Sequence, residues 1–263
     1  MKVIVTGAAS GIGLAVARHL AAAPWEERAQ LVITGRNIDA LEVAAADLRS
    51  RGAEVVVAVE DLADADAPQR IVDAASGAFG GIDGIVSNAG MFKLGPLEQM
   101  PVEDFAMAFD VNTRATWLLA KAAHPLLKLS RGSIVATSSL ASELPAPPLG
   151  AYSASKAALV MLVKQMAVEW GGDGIRCNCV SPGSTLTPMT AKVYADPAER
   201  AKRERGIALH RIGTADEVAN AIVFLLGPRS SFITGVNLLV DGGANLMFMS
   251  VMGAGSAHRQ VDV

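Results

Sequence analysis

The chain has 263 residues, of which 51% are hydrophobic but only 5% aromatic, and its net charge is −3. This length allows one large α/β domain with an aliphatic core, and the weak negative charge argues against a nucleic-acid partner. No apolar run reaches the about 18 residues that a membrane span needs, and we recognise no secretion signal around Lys2. We therefore expect a cytoplasmic protein without a membrane partner.

Cysteine and histidine are sparse. Cys177 and Cys179 stand two apart in an apolar run, where a strand would point both side chains to one face. The histidines are scattered without the spacing of metal ligands. We predict neither a disulfide scaffold nor a metal site.

The first predicted unit is a strand at residues 3–5, a glycine-rich turn and a helix at residues 14–22. The turn reads TGAASGIG at residues 6–13. Strand, turn and helix in this order present backbone N–H groups and a helix N-terminus to a phosphate. Gly7 would allow the tight turn, Gly11 a close backbone approach and Gly13 close packing of helix on strand.

The second predicted strand, residues 31–34, ends at Gly35 and Arg36, with no carboxylate before Asp39. An acidic group near this point suits the ribose hydroxyls of NAD, whereas an arginine fork suits the 2′-phosphate of NADP. The sequence therefore favours NADP(H) over NAD(H). The alternative is that Arg36 is a solvated loop residue or stacks on adenine.

Two further turns follow predicted strands at residues 54–59 and 82–86. Asp61 lies just past the first, at the strand end where such sheets bind ligands. The second opens into Ser87-Asn88-Ala89-Gly90, a small polar turn that would let a cofactor pass closely. An ordinary turn is the alternative for the second.

A long helix is predicted at residues 102–129, with Asn112 in its interior. Asparagine is a mediocre helix former, and a buried one must find hydrogen-bond partners. The next strand, residues 132–137, ends in Ser138 and Ser139. A proline-rich loop then leads to the helix that starts near Tyr152.

Tyr152 and Lys156 stand four residues apart, on one face of that helix. A cation beside a phenol favours the phenolate, so the pair is a candidate device for proton transfer. The alternative is a solvated helix edge.

The last part of the chain holds strands at residues 174–180 and 236–240, on either side of a charged segment at 184–211. A helix at 214–226 begins with Thr214 as N-cap and Glu217 completing a capping box. Seven strand candidates that mostly alternate with helices predict an α/β fold with a doubly wound parallel sheet. We place one dinucleotide-binding catalytic domain at residues 1–243 and a tail at 244–263.

Taken together, these motifs resemble the short-chain dehydrogenase/reductase family over residues 6–243. They occur in the family's order, with Ser87 replacing the first asparagine of the usual N-N-A-G. The resemblance implies a single-domain Rossmann-type fold, an NAD(P)-dependent interconversion of a secondary alcohol and a ketone, and a homo-oligomer, either tetramer or dimer.

The resemblance also implies roles for individual residues. Tyr152 would exchange a proton with the substrate oxygen, and Lys156 would lower the pKa of Tyr152 and hold the nicotinamide ribose. Ser139 would bind the substrate oxygen, with Ser138 as the competing serine, and Asn112 would hold a water that relays protons from Lys156. The cofactor would contact Gly7, Ser10, Gly11, Ile12, Gly13, Arg36, Asp61, Leu62, Asn88, Ala89, Gly90, Tyr152, Lys156, Pro182, Gly183, Thr185 and Thr187.

The substrate is less well defined by the sequence. Apolar pocket walls are expected at Phe92, Leu94, residues 140–144 and from Met189 onward, with Glu143 as the nearby acid. They indicate a small-molecule alcohol or ketone on a cyclic or medium-sized skeleton. The branch that oxidises a dihydrodiol of benzoate and the 3-oxoacyl-carrier-protein reductases are both open.

Two readings from other functional classes also remain. One is a regulator or scaffold that binds the cofactor without turnover, and the other is an epimerase or dehydratase of the extended relatives. The apolar half of the tail, residues 244–263, would pack at a subunit contact or against a neighbouring active site, or else be a frayed end.

Overall fold

The computed structural model describes residues 1–22 and 28–247. Its strands are β1 (Lys2–Thr6), β2 (Gln30–Gly35), β3 (Glu54–Val59), β4 (Gly84–Ser87), β5 (Ser133–Thr137), β6 (Arg176–Pro182), β7 (Thr185–Leu186), β8 (Gly213–Thr214) and β9 (Asn237–Val240). Its α-helices are α1 (Gly11–Ala22), α2 (Ile38–Ser50), α3 (Ala67–Phe79), α4 (Val102–Phe109), α5 (Ala115–Ser130), α6 (Ala151–Trp170), α7 (Ala191–Tyr194), α8 (Pro197–Arg205) and α9 (Ala215–Leu226).

Seven strands form one parallel sheet in the order β3-β2-β1-β4-β5-β6-β9, which confirms the predicted fold class. All seven strands predicted from the sequence belong to it. The strand order reverses direction between β1 and β4. The loops that follow these two strands therefore diverge and leave a crevice at the carboxyl end of the sheet, where ligands bind in such folds.

Both faces of the sheet are covered by helices. In β1 the side chains alternate, so that Val3 and Val5 join the core under α1, α2 and α9, while Ile4 joins the core under α3, α5 and α6. Cys177 and Cys179 of β6 lie in this second core, on one face as predicted, and burial raises the pKa of each thiol to about 12. Both thiols are free and buried.

The prediction of one continuous helix at residues 102–129 is wrong for the middle of that range. A π turn, Asp110–Arg114, separates α4 from α5. Such a turn admits one extra residue and re-aims the side chains around it. Asn112 is buried inside the turn and makes three hydrogen bonds there, which compensate for the weaker local helix.

The charged segment at 184–211 forms α7 and α8 and ends beside a short parallel ladder that the sequence did not reveal. In this ladder β7 pairs with β8, Thr185 opposite Gly213. The predicted capping box of α9 is confirmed: the Thr214 hydroxyl accepts from the Glu217 N–H, and the Thr214 N–H donates to the Glu217 carboxylate at 2.8 Å.

The structure places the last strand close to its predicted position, and a short 3₁₀ helix, Ala244–Leu246, follows it. Residues 248–263, and with them most of the predicted contact segment of the tail, lie outside the described residues. Within the described part of the chain, no helix has both the length and the apolar character to cross a membrane.

Candidate active site

The glycine-rich turn connects β1 to α1 and leaves no room for a side chain at Gly7 or Gly13. Gly7 and Gly11 have φ values of +65° and +56°, a region that favours glycine. A Cβ on Gly7 would lie 3.0 Å from Ala89 Cα. A Cβ on Gly13 would lie 2.3 Å from the Gly7 carbonyl oxygen. Gly13 therefore serves the packing of helix on turn and does not line the cleft beside it.

The turn after β4 is fastened to this glycine turn. The N–H groups of Asn88 and Ala89 both donate to the Thr6 hydroxyl at 2.9 Å, and the Asn88 amide donates to the Thr6 carbonyl at 3.1 Å. Thr137, at the end of β5, donates to the Asn88 side-chain oxygen at 3.2 Å. The ends of β1, β4 and β5 are thus held in one hydrogen-bond network at the crevice. An ordinary connecting turn does not need hydrogen bonds to two neighbouring strands.

Tyr152 and Lys156 lie on the first turns of α6 and face the same cleft. Ser139 lines the same cleft, and its side chain acts on the pKa of the Tyr152 phenol. The Lys156 ammonium, 3% exposed, donates to the Thr137 carbonyl at 2.7 Å and lies 5.9 Å from the centroid of the Tyr152 ring. The competing serine, Ser138, also lines the cleft, and its hydroxyl donates to the Lys156 carbonyl at 3.1 Å.

The pKa of Tyr152 runs opposite to the sequence-based expectation. Burial raises the pKa of this phenol, and the Ser139 side chain opposes the rise. Burial also lowers the pKa of Lys156 to about 8. The reason is that both charged forms lose hydration in the cleft, while the Lys156 ammonium is directed at the Thr137 carbonyl. In the protein alone, desolvation outweighs the attraction that the i, i+4 spacing suggested.

Asn112 lies behind the cleft rather than in its lining. Its side-chain oxygen accepts from the Met91 N–H at 2.9 Å, and its amide donates to the Met91 carbonyl at 3.0 Å and to Ser155 at 2.9 Å. Ser155 in turn donates to the Tyr152 carbonyl at 2.8 Å. Asn112 therefore ties the segment after β4 to the helix of Tyr152, and its predicted role in a proton relay stays a prediction.

A cleft of about 760 Å³ runs along this edge of the sheet. Apart from Asn112 and Gly13, every predicted site residue lines it. Those that do are Gly7, Ser10, Gly11, Ile12, Arg36, Asp61, Leu62, Asn88, Ala89, Gly90, Ser139, Tyr152, Lys156, Pro182, Gly183, Thr185 and Thr187.

One end of the cleft, where β2 and β3 finish, is charged. Arg36 lies there with its guanidinium 4.0 Å from the Asp61 carboxylate. Sequence reasoning missed Thr34 and Glu60, which also line this end. Their position beside Gly35 and Asp61, at the carboxyl ends of adjacent strands, was the available signal.

The other end, beyond Tyr152, is mostly apolar. Phe92 packs edge-on against the Tyr152 ring, with centroids 6.0 Å apart, and Met107 and Met189 line the same region. An ion pair between Lys93 and Asp104, 3.1 Å long, adds charge to this wall.

Several expected pocket walls do not line the cleft. Neither Leu94 nor any of residues 140–144 contributes to the wall of the cleft. Glu143, expected as the nearby acid, instead accepts a hydrogen bond from the Asn237 amide at 2.8 Å. Across the described ranges, 1–22 and 28–247, His, Cys, Asp and Glu form no group of three that could hold a metal ion.

Comparison with known proteins gives consistent matches along almost the whole chain. A profile of the enoyl-(acyl carrier protein) reductase family matches residues 7–245. Dehydrogenase/reductase SDR family member 4 of Bos taurus is 36% identical over 92% of this chain and 86% of its own length. Gluconate 5-dehydrogenase of Gluconobacter oxydans is 35% identical over 92% of this chain and 93% of its own length.

Solved structures agree with these matches. A short-chain type dehydrogenase/reductase from Mycobacterium ulcerans aligns with a TM-score of 0.88 and 32% identity, over 95% of this chain and 94% of that one. Levodione reductase aligns with a TM-score of 0.87 and 30% identity, over 94% of this chain and 98% of that one.

Proposed function

The chain belongs to the short-chain dehydrogenase/reductase family and is an NAD(P)-dependent oxidoreductase, and we propose that it interconverts a secondary alcohol and a ketone with Tyr152 as general acid and base. We further propose that it prefers NADP(H) to NAD(H). The observation that carries the catalytic assignment is that Ser139, Tyr152 and buried Lys156 line the same cleft as the glycine turn.

The groups that line the cleft support a dinucleotide as its ligand. The turn at Gly7 and Gly11 leaves a backbone cradle at the N-terminus of α1, where a pyrophosphate binds favourably. The buried Thr34 hydroxyl lines the cleft and has no hydrogen-bond partner among the residues that the structure describes. Such an unsatisfied group supports a polar ligand at this position. Arg36 would meet a 2′-phosphate, which supports NADP(H).

Proton transfer would use the residues at the centre of the cleft. When bound, the nicotinamide cofactor accepts or donates the hydride, while the protein supplies orientation and the proton. Burial keeps the Tyr152 phenol protonated, which suits a donor to the developing alkoxide of a ketone under reduction. Lys156 would stabilise the resulting phenolate, and the Ser139 hydroxyl would orient the substrate oxygen.

For the substrate we propose a ketone or secondary alcohol on a cyclic or medium-sized skeleton. The apolar wall of Phe92, Met107 and Met189 supports a hydrocarbon body, and the Lys93–Asp104 pair supports an additional polar group. The relatives are consistent with such compounds, since their names include gluconate 5-dehydrogenase, D-threitol dehydrogenase and levodione reductase. A panel of cyclic ketones, diols and a 3-oxoacyl thioester, assayed with each cofactor, would narrow this class.

The protein would work as a homo-oligomer in the cytoplasm. The two buried, unpaired thiols, Cys177 and Cys179, are compatible with a reducing compartment. The apolar side chains that remain exposed on α5 and α6 support self-association.

Replacing Tyr152 by phenylalanine tests the catalytic assignment. We expect Tyr152→Phe to lower kcat by roughly 10³-fold, because positioned acid–base groups contribute about 10²- to 10⁴-fold. Its affinity for NADP, measured by titration calorimetry, should stay within about threefold of the wild type, because the phenol is not needed for phosphate or adenosine contacts.

The matched control is Tyr194→Phe, which removes a second phenol from the same cleft lining. We expect it to change kcat by no more than about threefold, since the Tyr152 hydroxyl is retained. Unchanged turnover of Tyr152→Phe would refute the proton-transfer role. Wild-type protein that binds NADP but turns over no member of the panel would favour the non-catalytic regulator.

A further inference from the structure

We propose that Arg70, which does not line the cleft, controls how well the cleft accepts a 2′-phosphate, because it neutralises the carboxylate of Glu60. The proposal rests on the proposed function in that it takes the Arg36 end of the cleft as the adenosine end. Arg70 is thus a positioning residue for cofactor choice, and it acts through its partner.

Glu60 lies where a dinucleotide-binding fold selects its cofactor. It directly follows β3, and its N–H donates to the Gly35 carbonyl at 3.0 Å, which places it beside the end of β2. Arg36 directly follows Gly35, the last residue of β2. Arg36 and Glu60 both line the cleft. A carboxylate at this edge accepts ribose hydroxyls and repels a phosphate.

Arg70 removes Glu60 from that role. From α3 its Nε donates to Glu60 Oε1 at 2.9 Å and its Nη2 to Glu60 Oε2 at 2.6 Å. The same Nη2 donates to Asp64 Oδ2 at 2.7 Å. This two-pronged contact occupies both oxygens of Glu60, in the geometry that makes arginine–carboxylate pairs strong. The Glu60 side chain is only 17% exposed, so solvent screens its charge less than that of an open surface group.

Arg70 shares its single positive charge between Glu60 and Asp64, so this end of the cleft keeps a small excess of negative charge. Arg36 is 78% exposed and lies 4.0 Å from Asp61, whose other oxygen accepts the Ala63 N–H at 3.0 Å. With Arg70 in place, Asp61 is the carboxylate in this part of the cleft lining that Arg70 does not contact. Without Arg70, the freed Glu60 would add a second negative charge beside the position that a 2′-phosphate needs. Loss of Arg70 should therefore penalise a phosphorylated ribose and spare an unphosphorylated one.

Two small ligands isolate this effect from catalysis. Titration calorimetry with adenosine 2′,5′-bisphosphate and with adenosine 5′-monophosphate gives an affinity ratio that reports the 2′-phosphate alone. We expect Arg70→Met to lower this ratio roughly tenfold at low salt, as an added charge at short range implies. At roughly 0.5 M salt the loss should shrink, because screening weakens the repulsion.

A double-mutant cycle tests whether Arg70 acts through Glu60. In a Glu60→Gln background, Arg70→Met should change the ratio by less than about twofold, because the only carboxylate then released is that of Asp64, which does not line the cleft. Arg70→Lys should retain part of the wild-type ratio, since it keeps the charge but loses the fork. Arg200→Met, which breaks the exposed pair with Glu204 on α8, is the matched control and should leave the ratio unchanged.

The outcomes separate this inference from the cofactor preference. A wild-type ratio near one would contradict the preference for NADP(H), but a fall of the ratio in Arg70→Met would still support the role of Arg70. An unchanged ratio in Arg70→Met, or an equal fall in the Glu60→Gln background, would overturn the inference. Any general damage to the fold lowers both affinities and cancels in the ratio.

Discussion

The buried ammonium of Lys156 makes the stability of the protein depend on pH in an unusual direction. Burial lowers its pKa from 10.5 to about 8, while the unfolded chain keeps the ordinary value. Below about pH 8 the group is charged in both states, and the cost of burying the charge is fully present. Between the two values the unfolded chain binds more protons than the folded one. Stability therefore rises with pH across this window.

Replacing Lys156 by methionine should remove this rise. The wild type is expected to gain up to about 3 kcal/mol of unfolding free energy relative to Lys156→Met between about pH 7.5 and 10.5, the equivalent of its pKa shift. The opposite contribution of Tyr152, whose raised pKa costs stability above pH 10, is common to both proteins. Urea unfolding at a series of pH values measures the difference.

Lys164→Met is the control for this experiment, because it removes an exposed ammonium from the same helix, about two turns further along. Its stability curve should run parallel to that of the wild type. If the curve of Lys156→Met also runs parallel to the wild type, the ammonium is not buried at the cost described.

For single residues, the sequence predicted well which side chains lie together in the cleft, but it predicted their charge states poorly. Tyr152, Ser139 and Lys156 could be found from spacing and motif order, since a helix and a strand end fix them locally. The raised pKa of Tyr152 could not, because it depends on burial by residues distant in the chain. The same holds for Glu60, whose pairing with Arg70 spans ten positions and two elements.

Among the elements, the turn between β1 and α1 tolerates the least change. A Cβ on Gly13 would lie 2.3 Å from the Gly7 carbonyl oxygen and 2.6 Å from the Asn88 amide nitrogen. Gly13→Ala should lower the free energy of unfolding by roughly 1 to 3 kcal/mol through overpacking. It should also weaken NADP binding at least about tenfold, because the displaced groups belong to the glycine turn and to the Asn88 turn, which both line the proposed cofactor cleft. Chemical denaturation and calorimetry measure the two effects.

Gly77 in α3 provides a control in which the same substitution should raise the free energy of unfolding instead of lowering it. A Cβ there would meet nothing within 4 Å, so Gly77→Ala should raise stability by about 0.5 to 1 kcal/mol through better helix propensity. Its affinity for NADP should not change. Equal stability of Gly13→Ala and the wild type would show that the turn can relax around the added methyl group.

The elements that the sequence predicted well are those with a strong local pattern. Each strand of the large sheet is a short apolar run with a helix or turn on either side, and all were found. The π turn at Asp110–Arg114 was missed because one extra residue hardly disturbs the apolar period of a helix. The β7–β8 ladder was missed because two residues per strand carry no pattern, and their pairing depends on where the charged segment returns.

At the scale of the whole molecule, α6 connects the active site to the outer surface. Its first turns carry Tyr152 and Lys156, and its inner face contributes Leu159 and Val163 to the core. The outer face of the helix also carries large apolar side chains, next to the exposed Lys164. Met161 and Val168, seven residues apart and therefore on one side, are 64% and 81% exposed. Large exposed apolar side chains on one side of a helix are typical of a contact surface.

A charge on that outer face should weaken self-association. We expect the wild type to sediment well above the chain mass of 27.2 kDa, as a dimer or tetramer, and Val168→Glu to shift the mass toward the monomer. The reason is that a carboxylate buried at an apolar contact is left without its hydration. Val43→Glu on α2 is the matched control, since Val43 is also an exposed helical valine, 73% exposed, and lies away from α6. Sedimentation equilibrium over a range of concentrations measures all three proteins. A monomeric wild type, or equal masses for wild type and Val168→Glu, would exclude this face as the contact.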